Sequence, residues 1–309
     1  MNSDNSFSSP APKISILVPV YNDIDRVGLC IDKLLQIKYP KNQYEVIIID
    51  NGSTDGTYEY LLERVSETQG NFLRLIQCLT PGSYAARNEG IKIASGEFTA
   101  FTDSDCLVSD YWLSNLLACW NQYEGDIVVA GNVSFFSDTS KQTEQSALDF
   151  ENMFSMKQEQ NAKNGKCITA NLFCPTDLLK KHNGFNEKLK SGGDVEFSQR
   201  VVNTGGRIVY SEEAEVLHPS RNKEELIIKR KRVVGGTWDA ELSSAGIGRK
   251  LRFFASLLKM FIARSKCTLM NSSLSYRRKA NLIWLLLLIY FTSMSEFIQL
   301  QLGKEANRV

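Results

Sequence analysis

The sequence predicts an α/β fold, in which a parallel or mixed sheet carries helices on both faces and a basic helical region follows. Short apolar runs alternate with segments of helical periodicity, an order typical of parallel sheets. The run at residues 44–50 is apolar through its middle, as expected of a strand that is covered on both faces. Beyond residue 220 basic residues outnumber acidic ones, which sets that part of the chain apart.

The predicted elements follow in a regular order. A first strand at 14–20 ends at Tyr21-Asn22-Asp23, where Asn22 or Asp23 can cap the helix that continues to about residue 36. Further strands are predicted at 44–50, 72–77, 98–102 and 126–129, and further helices at 55–66, 84–94 and 111–123. Residues 133–210 are less regular, and helices are predicted there at 143–160, at 175–181 and from 192 onwards.

The 309 residues are enough for one large domain and an appended region. We expect residues 1–13, which are polar and rich in Ser, Asn and Pro, to be disordered, and they do not resemble a signal peptide. Residues 14–220 are predicted to form the α/β domain, and residues 221–309 the basic helical region. Seven cysteines without metal-binding spacing are typical of reduced thiols, so we expect the domain to face the cytoplasm.

The net charge of +1 conceals a strong asymmetry. Residues 220–309 carry 17 Lys and Arg against 6 Asp and Glu, whereas the preceding residues carry 19 against 29. This distribution predicts an anionic partner for the C-terminal region, either membrane lipid or nucleic acid. Nucleic acid is disfavoured because the basic residues alternate with aliphatic residues instead of with aromatic residues that stack on bases.

Polar residues follow three of the predicted strands. They are Tyr21-Asn22-Asp23, residues 50–55 and residues 103–105. Ligands of parallel α/β sheets bind beyond the carboxyl ends of the strands. The sequence therefore predicts a functional site at this edge of the sheet.

Asp103 and Asp105 come directly after an apolar strand. On extended chain, side chains two residues apart point the same way, so both carboxylates can meet at one place. They would repel unless a cation lay between them, and oxygen ligands suit Mg²⁺ or Mn²⁺. The alternative is a pair of solvated acids in a surface turn. His218, which follows a later predicted strand, is either a further metal ligand or an edge histidine with a structural role.

Gly82 precedes a predicted helix that carries Arg87. Helix N-terminal amides and a guanidinium group both suit phosphate oxygens. The chain has neither a Walker loop nor the glycine spacing of a dinucleotide fold. The pattern therefore favours a phosphorylated ligand of another class.

Four segments together resemble family 2 glycosyltransferases of the GT-A fold, whose sheet is Rossmann-like. They are ILVPVYN at 16–22, IDNGSTDGT at 49–57, ARNEG at 86–90 and TDSD at 102–105. The resemblance covers roughly residues 14–218. It implies an inverting, hexosyltransferase-class enzyme that uses a nucleotide-diphosphate sugar, with a leaning to UDP-sugars, together with Mg²⁺ or Mn²⁺.

The resemblance also implies roles for individual residues. Donor binding falls to Pro19, Tyr21 and Asp50 in the nucleotide pocket, to Arg87 near the phosphates and to Asp103 near the ribose and metal. Asp105 would coordinate the metal with Asp103, and His218 is a further candidate ligand.

The general base of the resembled family is the aspartate of a Gly-Glu-Asp motif before a helix. The corresponding stretch here is Gly192-Gly193-Asp194-Val195-Glu196, with Gly193 where the family usually has Glu. Asp194 aligns with the base, and Glu196 is a second candidate. A purely structural alternative for Asp194 is that an acid in the first turn stabilises the helix N-terminus.

The C-terminal region contains two candidate membrane segments. Around residues 251–262, apolar residues share one helical face with basic residues around it, which is typical of a helix that lies on a membrane surface. Residues 280–295 carry no charge and follow Arg277-Arg278-Lys279. A helix of this length can lie in the membrane interface, span the membrane once or be buried within the protein. In either membrane case the basic residues would be cytoplasmic. Residues 229–232, Lys-Arg-Lys-Arg, form either a loop over the donor site or a solvated helix face.

We therefore expect an inverting glycosyltransferase at the cytoplasmic face of the membrane, held peripherally or by a single C-terminal anchor. Its acceptor would be a lipid-linked saccharide or a polysaccharide. A sugar-phosphate nucleotidyltransferase is disfavoured because a glycine-rich basic loop is absent after the first strand. The alternative from another class is a catalytically silent protein that binds sugar nucleotides, or a scaffold, at the membrane.

Overall fold

The computed structural model describes residues 13–68, 72–137, 143–189 and 191–305. Disorder was predicted for residues 1–13, of which residues 1–12 lie outside these ranges. The chain divides into two compact units. The sheet unit comprises Met1–Ser134 and Lys157–His218, and the helical unit comprises Phe135–Met156 and Pro219–Val309. Residues 135–156 thus group with the helical unit, whereas the functional division into 14–220 and 221–309 stays a prediction.

The described residues form an eight-stranded mixed sheet, in the order β3-β2-β1-β4-β7-β6-β8-β5. The strands are β1 (Ile14–Val20), β2 (Tyr44–Asp50), β3 (Leu73–Gln77), β4 (Phe98–Phe101), β5 (Leu107–Val108), β6 (Ile127–Phe136), β7 (Leu172–Pro175) and β8 (Arg207–Pro219). Strands β1 to β4 are parallel, and β7 pairs antiparallel with β4 and β6. The predicted α/β architecture with a mixed sheet is confirmed.

Helices cover both faces of the sheet because its central strands are apolar on both sides. The helices of the sheet unit are α1 (Ile24–Leu35), α2 (Thr57–Glu67), α3 (Ser83–Ile93), α4 (Trp112–Trp120), α6 (Gln158–Lys163), α7 (Thr176–Lys181) and α8 (Gly193–Asn203). Alternate residues of β1 enter different cores: Ile16 and Val18 pack with helices α1, α2 and α4, whereas Leu17 packs with α3, α7 and α8. This double coverage explains why β1 and β2 are buried along their whole length.

The prediction of a single helix at 143–160 is wrong. Two helices occur instead, α5 (Gln145–Phe154) in the helical unit and α6 in the sheet unit. Between them Met156 has a φ of 44°. A positive φ cannot continue a right-handed helix, so the backbone turns there although the residues on either side favour helix. The fifth predicted strand also extends further than expected, to Phe136.

The helical unit contains α5, α9 (Lys223–Thr237), α10 (Ile247–Met270) and α11 (Tyr276–Gln301). Helix α11 packs on α5, α9 and α10 through one buried apolar face, which includes Leu282, Leu285 and Ile289. The two C-terminal segments singled out in the sequence are therefore both helical.

Residues 229–232 belong to α9 and are not a loop. The expectation of a fully solvated face holds for Arg232, which is exposed, but is wrong for Lys229 and Arg230, which are half-buried. Both line a cavity inside the helical unit. Sequence periodicity missed this because the residues that bury them come from α5, α10 and α11, far away along the chain.

Candidate active site

The carboxyl ends of β1, β2 and β4 lie at one edge of the sheet. Val20 is paired with Asp50, and Leu17 with Phe101, in parallel registers. Polar loops follow all three strands at this edge, as the sequence predicted. The loops are also tied together, because the side-chain carbonyl of Asn22 accepts from the backbone N–H of Thr54 at 2.8 Å.

Two further contacts hold the loop after β2. Asn51 donates from its side-chain amide to the carbonyls of Cys78 and Thr80, both at 2.8 Å, and accepts from the N–H of Gly82 at 2.8 Å. One asparagine therefore joins the second polar loop to the loop before α3. This arrangement sets the position of the α3 N-terminus, four residues before Arg87.

Four potential ligand atoms gather beyond β4. The ligand atoms of Asp103, Asp105, Cys106 and His218 lie within 4.8 Å of one another. Strand pairing brings His218 there: Leu107 of β5 pairs with Leu217 of β8, so the residue after Leu217 lies beside the residue before Leu107. The structure thus brings together the Asp-x-Asp motif and His218, the histidine predicted as a candidate ligand.

The donor set fits a hard divalent cation. Two carboxylates and one imidazole suit Mg²⁺ or, with the nitrogen ligand, Mn²⁺. The Asp105 carboxylate lies 3.8 Å from the His218 Nε2 and 3.5 Å from the Arg26 guanidinium. Cys106 is the poorest candidate, because thiolate is a soft ligand, whereas Mg²⁺ and Mn²⁺ prefer oxygen ligands.

Asp23 and Arg26 belong to this cluster; the sequence placed Asp23 only among the polar residues after β1 and did not indicate Arg26. The Asp23 carboxylate accepts from the Arg26 Nε at 2.6 Å and from the Ser104 hydroxyl at 2.5 Å. Burial raises the pKa of Asp23, and these two contacts oppose the rise. Asp23 occupies the predicted N-cap position of α1, but its side chain makes no capping hydrogen bond there. Its place at the end of β1 was the one available signal.

Arg87 reaches the same cluster from α3. Its guanidinium is buried and donates to the Asp103 carboxylate at 2.5 Å. It also lies over the Tyr84 ring, 5.8 Å from the ring centroid. Arg87 and Asp103, two of the predicted donor-binding residues, are therefore direct neighbours.

The other predicted donor-binding residues lie along the same edge. Asp50 is fully buried, and its carboxylate accepts from the backbone N–H groups of Gly52 at 3.1 Å and Ser53 at 3.3 Å. The Asp50 side chain therefore stabilises the turn that follows β2. Pro19 is buried in β1, whereas Tyr21 is 61% exposed. Contacts of these three residues with a nucleotide stay a prediction.

Asp194 and Glu196 occupy the first turn of α8 but have different partners. The Asp194 carboxylate accepts from the Tyr84 hydroxyl at 3.3 Å and from the backbone N–H groups of Val195 at 2.9 Å and Thr169 at 3.4 Å. Through Tyr84 it is connected to Arg87 and so to the acidic cluster.

Glu196 forms a two-pronged salt bridge with Arg200, with N···O distances of 2.8 and 3.1 Å. Arg200 also donates to the carbonyls of His182 and Gly184. Glu196 is therefore part of a structural network within and next to α8. Of the two candidates for the base, Asp194 is the one with contacts toward the cluster.

Comparison with known proteins identifies the family. The model described as Glycosyl transferase family 2 matches residues 15–176, more than half of the chain. The chain belongs to glycosyltransferase family 2. Glycosyltransferase AglE of Haloferax volcanii is 35% identical to it over 229 residues, which cover 74% of each protein. A poly(ribitol-phosphate) beta-glucosyltransferase of Bacillus spizizenii is 38% identical over 112 residues, 36% of this chain but only 17% of that protein.

Solved structures show the same fold as this family 2 glycosyltransferase. The mannosyltransferase PcManGT of Pyrobaculum calidifontis, in complex with GDP-Man and Mn²⁺, has a TM-score of 0.57 at 18% identity, covering 97% of this chain and 78% of that chain. S. aureus TarS 1-349 in complex with UDP has a TM-score of 0.52 at 19% identity, covering 94% and 92%. The fold is that of the GT-A glycosyltransferases, as predicted.

Gly193, where the sequence resemblance predicted a Glu, lies close to the Tyr84 ring. A Cβ atom at Gly193 would lie 2.8 Å from the Tyr84 ring. No larger residue fits there unless that ring moves, so the glutamate of the family pattern is incompatible with Tyr84 in this position. The same ring carries the hydroxyl that contacts Asp194.

Proposed function

We propose that this glycosyltransferase is an inverting, metal-dependent enzyme that moves a sugar from a nucleotide-diphosphate donor to a hydroxyl of a lipid-linked saccharide or polysaccharide. One observation carries the proposal: Asp103, Asp105 and His218 form a potential cation site at the ligand-binding edge of the sheet, next to the Arg87 guanidinium. Asp194, connected to that site through Tyr84, provides the base.

In the proposed mechanism, Asp194 removes the proton from the acceptor hydroxyl as its oxygen attacks the anomeric carbon. The Tyr84 hydroxyl and the N–H groups of Val195 and Thr169 fix the direction of this carboxylate. Attack opposite the leaving group inverts the configuration. The acceptor proton thus ends on Asp194, and the bond from sugar to diphosphate breaks.

Asp103, Asp105 and His218 would hold the cation, which would supply positive charge against the charge that develops on the diphosphate. Arg87 adds a fixed positive charge from α3 next to Asp103. A guanidinium that is already buried and oriented stabilises developing phosphate charge without further reorganisation.

The identity of the donor is tested with a panel of UDP- and GDP-sugars. These were chosen because TarS has been solved in complex with UDP and with UDP-GlcNAc, and PcManGT in complex with GDP-Man. We expect release of nucleoside diphosphate from one donor of the panel, dependent on Mn²⁺ or Mg²⁺, with a leaning to UDP. Membrane extract serves as the source of acceptor. Binding of a nucleotide sugar without turnover, even with extract, would instead favour the silent binding protein.

Membrane association is proposed for the helical unit. Helix α11 is long and apolar enough to cross a membrane by length and composition. Its outward face is apolar and exposed at Trp284, Leu288, Phe291 and Ile298, spaced at helical intervals. Its other face packs on α9, which carries charged residues 229–232. A span would draw these charges toward the hydrocarbon, so α11 is proposed to lie in the interface on the cytoplasmic face.

The double variant Trp284→Glu/Phe291→Glu is expected to lose binding to anionic lipid vesicles by at least about tenfold, since each large apolar side chain contributes roughly 1.5–3 kcal/mol on burial. Sedimentation with vesicles measures this. The control is Leu79→Glu, a change of an apolar side chain in the sheet unit that is more exposed than either Trp284 or Phe291. Unchanged sedimentation of the double variant would contradict the interfacial assignment.

A further inference from the structure

A cavity of about 240 Å³ lies inside the helical unit, among α5, α9, α10 and α11. One side is basic and is formed by Lys229, Arg230 and Arg264. The other side is apolar and includes Phe150, Phe154 and Ile289. The cavity is therefore amphipathic, and a ligand that fills it must carry both an anionic group and hydrocarbon.

The basic side carries more positive charge than the acidic residues near it neutralise. Glu151, the acid that lines the cavity, already forms a salt bridge with Arg221 at 2.9 Å and lies 4.0 Å from the Lys229 ammonium. Within the part of the chain that the structure describes, neither Arg230 nor Arg264 has a carboxylate within salt-bridge distance. Two guanidinium groups thus face the cavity without an anionic partner there.

Other contacts hold these arginines in position. The Arg230 Nε donates to the Ser293 hydroxyl of α11 at 2.6 Å. The Arg264 guanidinium lies over the rings of Phe150 and Phe154, 5.3 and 5.2 Å from their centroids. Both groups are therefore placed before any ligand arrives, which lowers the entropy lost on binding.

Burial makes this arrangement costly without an anion. It lowers the pKa of Lys229 to about 8 and that of Arg230 to about 10, and it lowers the pKa of Arg264 as well. Buried cations stabilise a protein only when an anion is paired with them. The charge surplus of the cavity matches a phosphate monoester, and arginine binds phosphate oxygens through two parallel hydrogen bonds.

We propose that this cavity binds the phosphate end of a single-chain lipid, with Arg230 and Arg264 on the phosphate oxygens and the hydrocarbon against Phe150 and Phe154. The role of that lipid as the carrier of the acceptor rests on the proposed function. Binding itself does not, because every residue involved lies in the helical unit. A phospholipid of the bilayer would offer the same phosphate on two acyl chains, and the experiment separates these two sources.

The test is calorimetric titration of the full-length protein with farnesyl phosphate. The comparison ligands are farnesol, which lacks the phosphate, inorganic phosphate, which lacks the chain, and vesicles with and without phosphatidylglycerol. We expect saturable binding of farnesyl phosphate, at least about tenfold tighter than that of farnesol or inorganic phosphate. Equal binding of farnesol and farnesyl phosphate would overturn the proposal. Binding of phosphatidylglycerol vesicles that the Arg230→Gln/Arg264→Gln change weakens, without binding of farnesyl phosphate, would assign the cavity to bilayer lipid and overturn the single-chain ligand.

The variant Arg230→Gln/Arg264→Gln should weaken farnesyl phosphate binding by at least about tenfold. The matched control Arg252→Gln/Lys259→Gln removes two charges from exposed positions of α10 and should leave it unchanged. Equal weakening in both variants would mean nonspecific attraction and reject the site.

A readout on the unmodified protein covers the case in which the cavity variant does not fold. Farnesyl phosphate should slow acylation of Lys229 by an amine reagent near pH 8, as followed by peptide mass spectrometry. Unchanged labelling at saturating ligand would reject the site. Donor turnover is measured separately, so a protein that binds farnesyl phosphate but never releases nucleoside diphosphate refutes the transferase mechanism and leaves the cavity assignment intact.

Discussion

Asp194→Asn is expected to lower the rate of sugar transfer by about 10²–10⁴-fold, the range typical for loss of a general base. An amide has nearly the same shape as the carboxylate but cannot take up the acceptor proton. Because Asp194 lies on α8 and is not part of the cation cluster, affinity for the donor should change little. Single-turnover rates together with donor affinity measured by calorimetry separate the two effects.

Two companion variants make the assignment specific. Glu196→Gln removes the salt bridge with Arg200 and should lower stability while leaving most of the activity. Tyr84→Phe keeps the ring that packs against Gly193, removes the hydroxyl that contacts Asp194, and should lower kcat more than it raises KM. If Glu196→Gln abolished transfer and Asp194→Asn did not, the base would be Glu196.

Asp105→Ala is expected to abolish the response of the reaction to Mn²⁺ and to lower the rate by roughly 10²–10³-fold, because a cation that neutralises leaving-group charge contributes several kcal/mol to transition-state stabilisation. The change leaves Asp103 and His218, besides the disfavoured Cys106 thiol, as potential ligands of the cluster. Rates measured across a Mn²⁺ titration, with Mn²⁺ binding followed by calorimetry, test both parts of this expectation.

Asp110→Ala is the matched control for this variant. Asp110 is also an aspartate of the sheet unit, but it is half-exposed and paired with Lys38 at 2.9 Å on the surface. Its removal should change neither the rate nor the metal dependence. A Mn²⁺ response of Asp105→Ala that matched the unmodified protein would refute the cation site.

Much of the fold and part of the site could be predicted from local patterns. The periodicity of β1, β2 and β4 indicates buried parallel strands, and parallel strands end at one edge, so the polar loops around Asp50 and Asp103 had to lie near each other. The Asp-x-Asp spacing is local too. Helix α5 shows where this reasoning fails, since the positive φ of Met156 has no signal in the helical pattern around it.

By itself, the sequence determined the alternation of strands and helices, the edge that carries the candidate site, the acidic pair and the basic C-terminal region. Tertiary structure alone decided which distant residues join them. The pairing of β5 with β8 brings His218 to Asp105, and the Tyr84 ring fills the space beside Gly193 and contacts Asp194. Tertiary packing also places Lys229 and Arg230, for which a solvated helix face was expected, in the lining of a cavity. The reason is physical: hydrophobic periodicity encodes the buried face of each element, whereas contacts between elements depend on how the side chains of all of them pack at once.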